Sequence, residues 1–282
     1  MKKQVKFLAV AAFVSTLSLN AMAQGIKMPA PSPVQTVKQD FALSSVEVTY
    51  SRPSVKGRSI FGAQEPYNVL WRTGANAATK VTFGEDVKVN GVNVPKGEYA
   101  LYTIPGANEW TVILNKGIKN WGKDGYKESD DVARFKVNPV QLPFAVETFM
   151  INFENIRSNA MNMMLLWETT MVSFEITADI NPKIQASIEE GLKNPDAAKR
   201  PYWEAANWYF NNNLDINKAL EYVNAATASN STFWKEHLKA KILAKKGDKA
   251  AAKATAQKSI TMAKEAKNED YVRLNEKLIA SL

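Results

Sequence analysis

Cysteine is absent from the 282 residues, and histidine occurs once, as His237. Without thiols there is no disulfide, no thiolate nucleophile and no sulfur ligand for a metal. A single histidine near the C-terminus disfavours both a multi-histidine metal site and a Ser-His-Asp triad in the first half of the chain. Neither a G-x-S-x-G nor an S-x-x-K word occurs, which further weakens serine acyl transfer. After Ala23 no apolar run is long enough to span a bilayer. No cofactor is expected from any word in the sequence.

One apolar run does occur, at the start. Lys2, Lys3 and Lys6 precede residues 7–19, and Ala21-Met22-Ala23 has the A-x-A form of a cleavage site. An apolar stretch of 13 residues covers only ~20 Å as a helix, against a hydrocarbon core of ~30 Å. The expectation is a cleaved signal peptide over residues 1–23, with the protein periplasmic or secreted. No cysteine follows the site, so a lipid anchor is not expected.

Charge is placed unevenly. Residues 24–181 hold 16 basic and 16 acidic side chains, whereas residues 182–282 hold 17 and 12. Export makes nucleic acid an unexpected partner and leaves an unknown small ligand or an envelope protein. The ten lysines between Lys235 and Lys267 are either a solvated helical face or an attraction for an anionic partner.

Pro29, Pro31 and Pro33 mark residues 24–34 as an extended tether. Beyond it the period of two takes over. Val46, Val48 and Tyr50 alternate with Glu47 and Thr49, and Trp110, Val112 and Leu114 repeat the pattern. Asn90-Gly91 is a two-residue hairpin signal, because both residues tolerate positive φ. About ten short strands with frequent turns, and no helix-length crossover between them, predict an antiparallel β-sandwich over residues 35–180. Residues 161–167 and 172–178 are expected as separate strands. After Ala178 the period becomes helical. Asn181 is expected to cap a helix with Pro182 in its first turn. Leu214-Asp215 and Gly247-Asp248 stand 33 residues apart, as do Ala219 and Ala252, close to the ~34-residue tetratricopeptide period. Residues 181–282 are therefore expected to form a tetratricopeptide-like helical domain, giving an α+β multidomain chain.

Several words carry a resemblance. Residues 48–53 (VTYSRP), Lys56-Gly57-Arg58 with Ile60-Phe61-Gly62, Trp71-Arg72-Thr73-Gly74-Ala75-Asn76, residues 95–102 (PKGEYALY) and Trp121-Gly122 resemble the bacterial exported proteins catalogued as domain of unknown function 2911. The resemblance spans roughly residues 35–178 and extends to the helical tail of longer members. It implies an exported, β-rich domain and brings no catalytic residue.

The candidate site is a ligand-binding one: Arg52, Lys56, Arg58, Trp71, Arg72, Asn76 and Trp121. An arginine fork beside an aromatic face and an amide can hold a carboxylate, phosphate or sugar. The alternative is a buried Trp plug whose Arg is structural. Trp121 and Tyr126, in a polar loop, can offer an exposed stacking platform. Residues 117–124 imitate a phosphate loop, but Asp124 stands where Ser or Thr is required. Glu85-Asp86, Glu98, Glu154 and Glu168 are the acids from which a glycosidase pair would have to be drawn. The leading expectation is a non-catalytic binding protein for a glycan or anion, whose helical tail contacts a partner. A carboxylate-based envelope glycan hydrolase and a purely structural envelope module are the alternatives.

Overall fold

The computed structural model describes residues 28–282, so the expected signal peptide lies outside the described residues. Ten strands precede six helices, and every strand pairing is antiparallel. The strands are β1 (Val34–Phe41), β2 (Ser44–Ser51), β3 (Ala75–Phe83), β4 (Val87–Val89), β5 (Val92–Val94), β6 (Gly97–Ile104), β7 (Trp110–Asn115), β8 (Asp131–Val137), β9 (Val140–Glu154) and β10 (Ala160–Thr177). They form a six-stranded sheet, ordered β1-β2-β3-β6-β7-β8, and a four-stranded sheet, ordered β5-β4-β10-β9.

The alternating residues decide which side each sheet buries. Val46, Val48 and Tyr50 of β2 and Trp110, Val112 and Leu114 of β7 enter one core with Phe149, Ile151, Trp167, Phe174 and Ile176 of the smaller sheet. The segment after β2 ties the two sheets together at one edge. Val55 N donates to Glu147 O, and Phe149 N donates to Pro53 O. Asn90 and Gly91 both take positive φ, as a tight β4–β5 hairpin requires. Strand β10 is one strand, not two. Its register shifts on either side of Glu168, whose φ is +53°, so the chain bulges and continues.

A second, smaller cluster lies on the opposite face of the six-stranded sheet. Ala78, Ala100, Tyr102 and Ile113 are buried there under Leu70, Ile104 and Tyr126. This is why β7 is buried along its whole length, on both sides.

The helices are α1 (Asn181–Leu192), α2 (Tyr202–Asn211), α3 (Ile216–Ser229), α4 (Phe233–Lys245), α5 (Lys249–Glu265) and α6 (Glu269–Ala280). Asn181 enters α1 instead of capping it; Ile180 precedes the helix without a side-chain bond. Asp215 and Asp248, the positions 33 apart in sequence, cap α3 and α5 by accepting from backbone N–H groups, and Asn268 does the same for α6. Ala206, Ala219, Ala240, Ala252 and Ala256 are fully buried, so the helices approach closely. Among the described residues, no helix is long and apolar enough to cross a membrane.

His237 lies on α4. It is half-buried, with Nδ1 2.8 Å from Asn275 Oδ1, while Asn275 Nδ2 donates to Ser259 Oγ at 2.8 Å and to Tyr271 O at 2.7 Å. Burial lowers its pKa, the Asn275 bond opposes the shift, and Lys241 adds to it. Of the lysine run, Lys258 pairs at 2.7 Å with the buried carboxylate of Glu236. Lys241 and Lys245 lie over the Phe210 ring.

Candidate functional site

Trp71 and Arg72 are neighbours in sequence and point to opposite sides of the larger sheet. Trp71 pairs with Thr103 of β6 through two backbone bonds, N to O at 2.7 Å and O from N at 3.0 Å. It therefore behaves as one residue of an added strand, with its neighbours directed the other way. Leu70 joins the outer cluster, and Trp71 joins the inner core.

The inner side is closed. Trp71 is 3% exposed and stacks on Trp167, with ring centroids 5.7 Å apart and planes 16° apart. Phe149 and Phe61 meet it edge-on at 5.2 and 5.7 Å. Its indole N–H donates to Gly74 O at 3.1 Å. Phe61 arrives from the loop holding Lys56-Gly57-Arg58, which turns through positive φ at Lys56 and Gly57. That loop is held by Ile60 N donating to Glu168 Oε2 at 3.2 Å. Thr73, Gly74 and Asn76 all have positive φ, so the chain kinks immediately after the Trp-Arg pair. Thr79 Oγ1 donates to Thr73 O at 2.6 Å and fixes the kink.

The outer side is open. A cavity of about 450 Å³ is lined by Gln64, Glu65, Leu70, Trp71, Arg72, Trp121, Gly122, Lys123 and Asp124, with Pro66 and Val69. The Arg72 guanidinium donates one hydrogen bond, from an Nη to Asn76 O at 3.0 Å. No carboxylate pairs with it among the described residues. Trp121 is 67% exposed. A Cβ on Gly122 would stand 2.7 Å from an Arg72 Nη, and φ there is +65°, so a glycine is needed where the loop crosses the guanidinium. Burial raises the pKa of Glu65, and Arg72, Lys123 and Arg58, in that order, oppose the shift.

The loop that carries Trp121 is pinned from below. Tyr102 donates from its hydroxyl to Gly122 O at 3.2 Å and accepts from Asn120 Nδ2 at 3.1 Å. Asn115 donates to Lys127 O at 2.9 Å and to Asp131 Oδ1 at 2.8 Å. Asp131 also accepts from the Tyr126 hydroxyl at 3.0 Å and from Arg134 at 2.8 Å. Tyr126 is therefore not a stacking platform: it lies edge-on to Tyr102 in the outer cluster. Burial first, then the Asp131 bond, push its pKa up to about 12.

Of the seven residues singled out from sequence, the cleft brings together Arg72 and Trp121; Trp71 borders it but is 3% exposed, with its indole in the inner core and its N–H bonded to Gly74 O, so it is a core residue and not a ligand platform. Asn76 supports Arg72 through its carbonyl, and its amide reaches Ser51 Oγ at 3.3 Å. Arg52 donates to Phe149 O on the far side of the segment. Arg58 donates to Val55 O, Ser54 O and Gln64 Oε1, so it braces its own loop. Lys56 is exposed and does not line the cleft. Gln64, Glu65, Lys123 and Asp124 also line it, and no motif in the sequence marks them as binding residues.

The acids considered from sequence lie elsewhere. Glu85 accepts from Leu43 N and pairs with Lys183 at 2.9 Å, Glu98 faces Lys80 at 3.6 Å, and Glu168 holds Ile60. Asp86 accepts from Lys96 N, and Glu154 sits opposite Asn162 in β9. Only a three-residue 3-10 turn, Glu128–Asp130, lies between residues 117–124 and β8, so the phosphate-loop imitation has no α-helix N-terminus. Among the described residues no group of three or more His, Asp or Glu can hold a metal ion.

Residues 32–176 match the family described as "Protein of unknown function (DUF2911)". No curated protein and no solved structure matches the chain.

Proposed function

The chain belongs to the DUF2911 family, whose match covers just over half of it, and from that premise we propose that the cleft between Arg72 and Trp121 binds an acidic saccharide. The protein is, on this reading, an exported, periplasmic or secreted, non-catalytic binding protein. Its two sheets act as a β-sandwich scaffold, and its tetratricopeptide-like tail, with the basic excess, meets a partner in the envelope or braces the scaffold.

One observation carries the reading. Among the described residues the Arg72 side chain makes a single hydrogen bond, and it lines a cavity whose other wall is a largely exposed indole. A guanidinium with free N–H groups recognises a carboxylate or phosphate in a forked geometry. An indole face offers a flat apolar platform for a sugar ring. Lys123 adds positive charge, while Gln64, Glu65 and Asp124 supply partners for hydroxyl groups. A simple anion would not need two carboxylates in the wall; a polyhydroxylated anion uses all of these groups.

The test is titration calorimetry with digalacturonate and, as the neutral control, cellobiose. The acidic disaccharide binds, and Arg72→Ala and Trp121→Ala each weaken it at least tenfold without unfolding the domain. Equal binding of both sugars, or none of either, counts against the reading. A second reading has one specific support: Glu65, with its raised pKa, and Asp124 line the same cleft. Two carboxylates flanking a sugar suit glycosidic hydrolysis. Release of reducing ends that stops in Glu65→Gln would favour that alternative.

A further inference from the structure

A second cavity, of about 620 Å³, lies where the strands meet the helices. Its size falls within the ~300–1,000 Å³ of small-molecule sites, and such sites favour junctions between structural units. Leu43, from the β1–β2 turn, faces Ile184 and Ile188 of α1 and Trp208 of α2. These side chains give the cavity an apolar floor. Ile184 and Trp208 also pack on the main core, so the floor is anchored in the body of the protein.

The polar side of this cavity carries one carboxylate and no cationic side chain. Asn207 donates one amide N–H to Trp203 O at 3.0 Å, and Asn212 one to Trp208 O at 2.9 Å, which leaves each its amide oxygen and one N–H. Glu204 lies in the first turn of α2 and lines the cavity without a cation beside it among the described residues. The neighbouring cations are all engaged elsewhere. Lys183 pairs with Glu85 at 2.9 Å, Lys193 with Glu190 at 2.9 Å, and Lys199 with Asp196 at 3.5 Å. Arg200, four residues before Glu204, turns to Asn194 O and the Tyr202 hydroxyl.

We propose that this cavity binds a small organic cation: a primary amine carried on an apolar body. The apolar floor removes the body from water. The ammonium, a donor without acceptor capacity, meets the Glu204 carboxylate and the two amide oxygens. A carboxylate-bearing ligand would meet like charge there instead. This site is separate from the Arg72 cleft, and its ligand has the opposite charge.

The experiment compares three soluble probes of similar shape on the full mature chain: phenethylamine, 2-phenylethanol and 3-phenylpropanoate. Binding is followed by the Trp208 indole and Asn207 and Asn211 side-chain amide resonances. Phenethylamine binds at least tenfold more tightly than 2-phenylethanol, and 3-phenylpropanoate more weakly still. Glu204→Gln removes the preference of amine over alcohol and leaves the fold intact, since the side chain is exposed on one side. Ser187→Trp, at an exposed position on the rim, abolishes binding of all three. Arg72→Ala changes nothing, which separates this site from the saccharide cleft. An amine that binds no better than the alcohol, failure of all three to bind, or binding untouched by Ser187→Trp, would overturn the proposal.

Discussion

The two faces of the six-stranded sheet have been put to opposite uses. On the inner face, Trp71, Trp110, Trp167, Phe61 and Phe149 form a continuous aromatic cluster. On the outer face, a loop pinned by Tyr102, Asn115 and Asp131 covers a small apolar cluster and leaves a polar cleft beside it. One residue step, from Trp71 to Arg72, separates them. Aromatic neighbours fix a side chain by excluding water and by shape; a guanidinium with a single carbonyl bond is held in place but keeps donors to offer. Rigidity on one side therefore supports availability on the other.

The largest effect separating the faces is on stability. Trp71→Ala should cost ~3–5 kcal/mol, as other buried large-to-small changes do. For a body of this size that is a fall of roughly 6–20 °C in Tm, read by calorimetry. A finer version compares two indoles. Trp71 N–H is bonded to Gly74 O, whereas Trp167 Nε1 is buried without a partner among the described residues. Trp71→Phe should therefore be the more damaging of the two Phe substitutions, by ~1 kcal/mol, the net worth of one hydrogen bond. Equal losses would mean that packing alone governs the inner face.

Next comes the anchor of the outer loop. Asp131→Ala removes the acceptor shared by Asn115, Tyr126 and Arg134, and should cost ~2–3 kcal/mol. It should also open residues 116–130 to limited proteolysis. The same network predicts a pH dependence. Tyr126 has a folded pKa of about 12, above its ordinary value near 10. The folded state holds that proton more tightly, so its contribution to stability is full below pH ~10 and is lost as pH rises towards 12. Tyr126→Phe should flatten that decline in alkaline melts. The smallest stability effect belongs to the cleft itself: Trp121→Ala should shift stability by no more than ~0.5 kcal/mol. A Trp121 variant that melts early would place the indole in the scaffold.

Much of this arrangement was legible in the chain. Alternation in β2 and β7 depends on neighbours two residues apart, and Asn90-Gly91 is a purely local turn. The 33-residue spacing of Asp215 and Asp248 was legible as a repeat, but their role as helix caps shows only in the structure. The continuity of β10 was not legible, because the bulge at Glu168 interrupts the alternation that marks a strand. The site was legible in part. Trp71-Arg72 stands out as a word, but which member faces water depends on pairing with Thr103, distant in sequence. Glu65 and Asp124 meet only because two loops converge. Arg58 was drawn to the site by charge, yet its guanidinium is taken up by the carbonyls of its own loop. Export and the residues before Met28 lie outside the described residues.

The central claim, that the donors of the outer face are free while those of the inner face are closed, has a direct test. Isotope-edited NMR of the protein during titration with digalacturonate reads the Arg72 Nε–H and the Trp121 and Trp71 indole N–H signals together. The account predicts saturable shifts for Arg72 and Trp121 and a stationary Trp71. Silent Arg72 and Trp121 signals at saturating sugar, or shifts centred on the inner cluster, would contradict it.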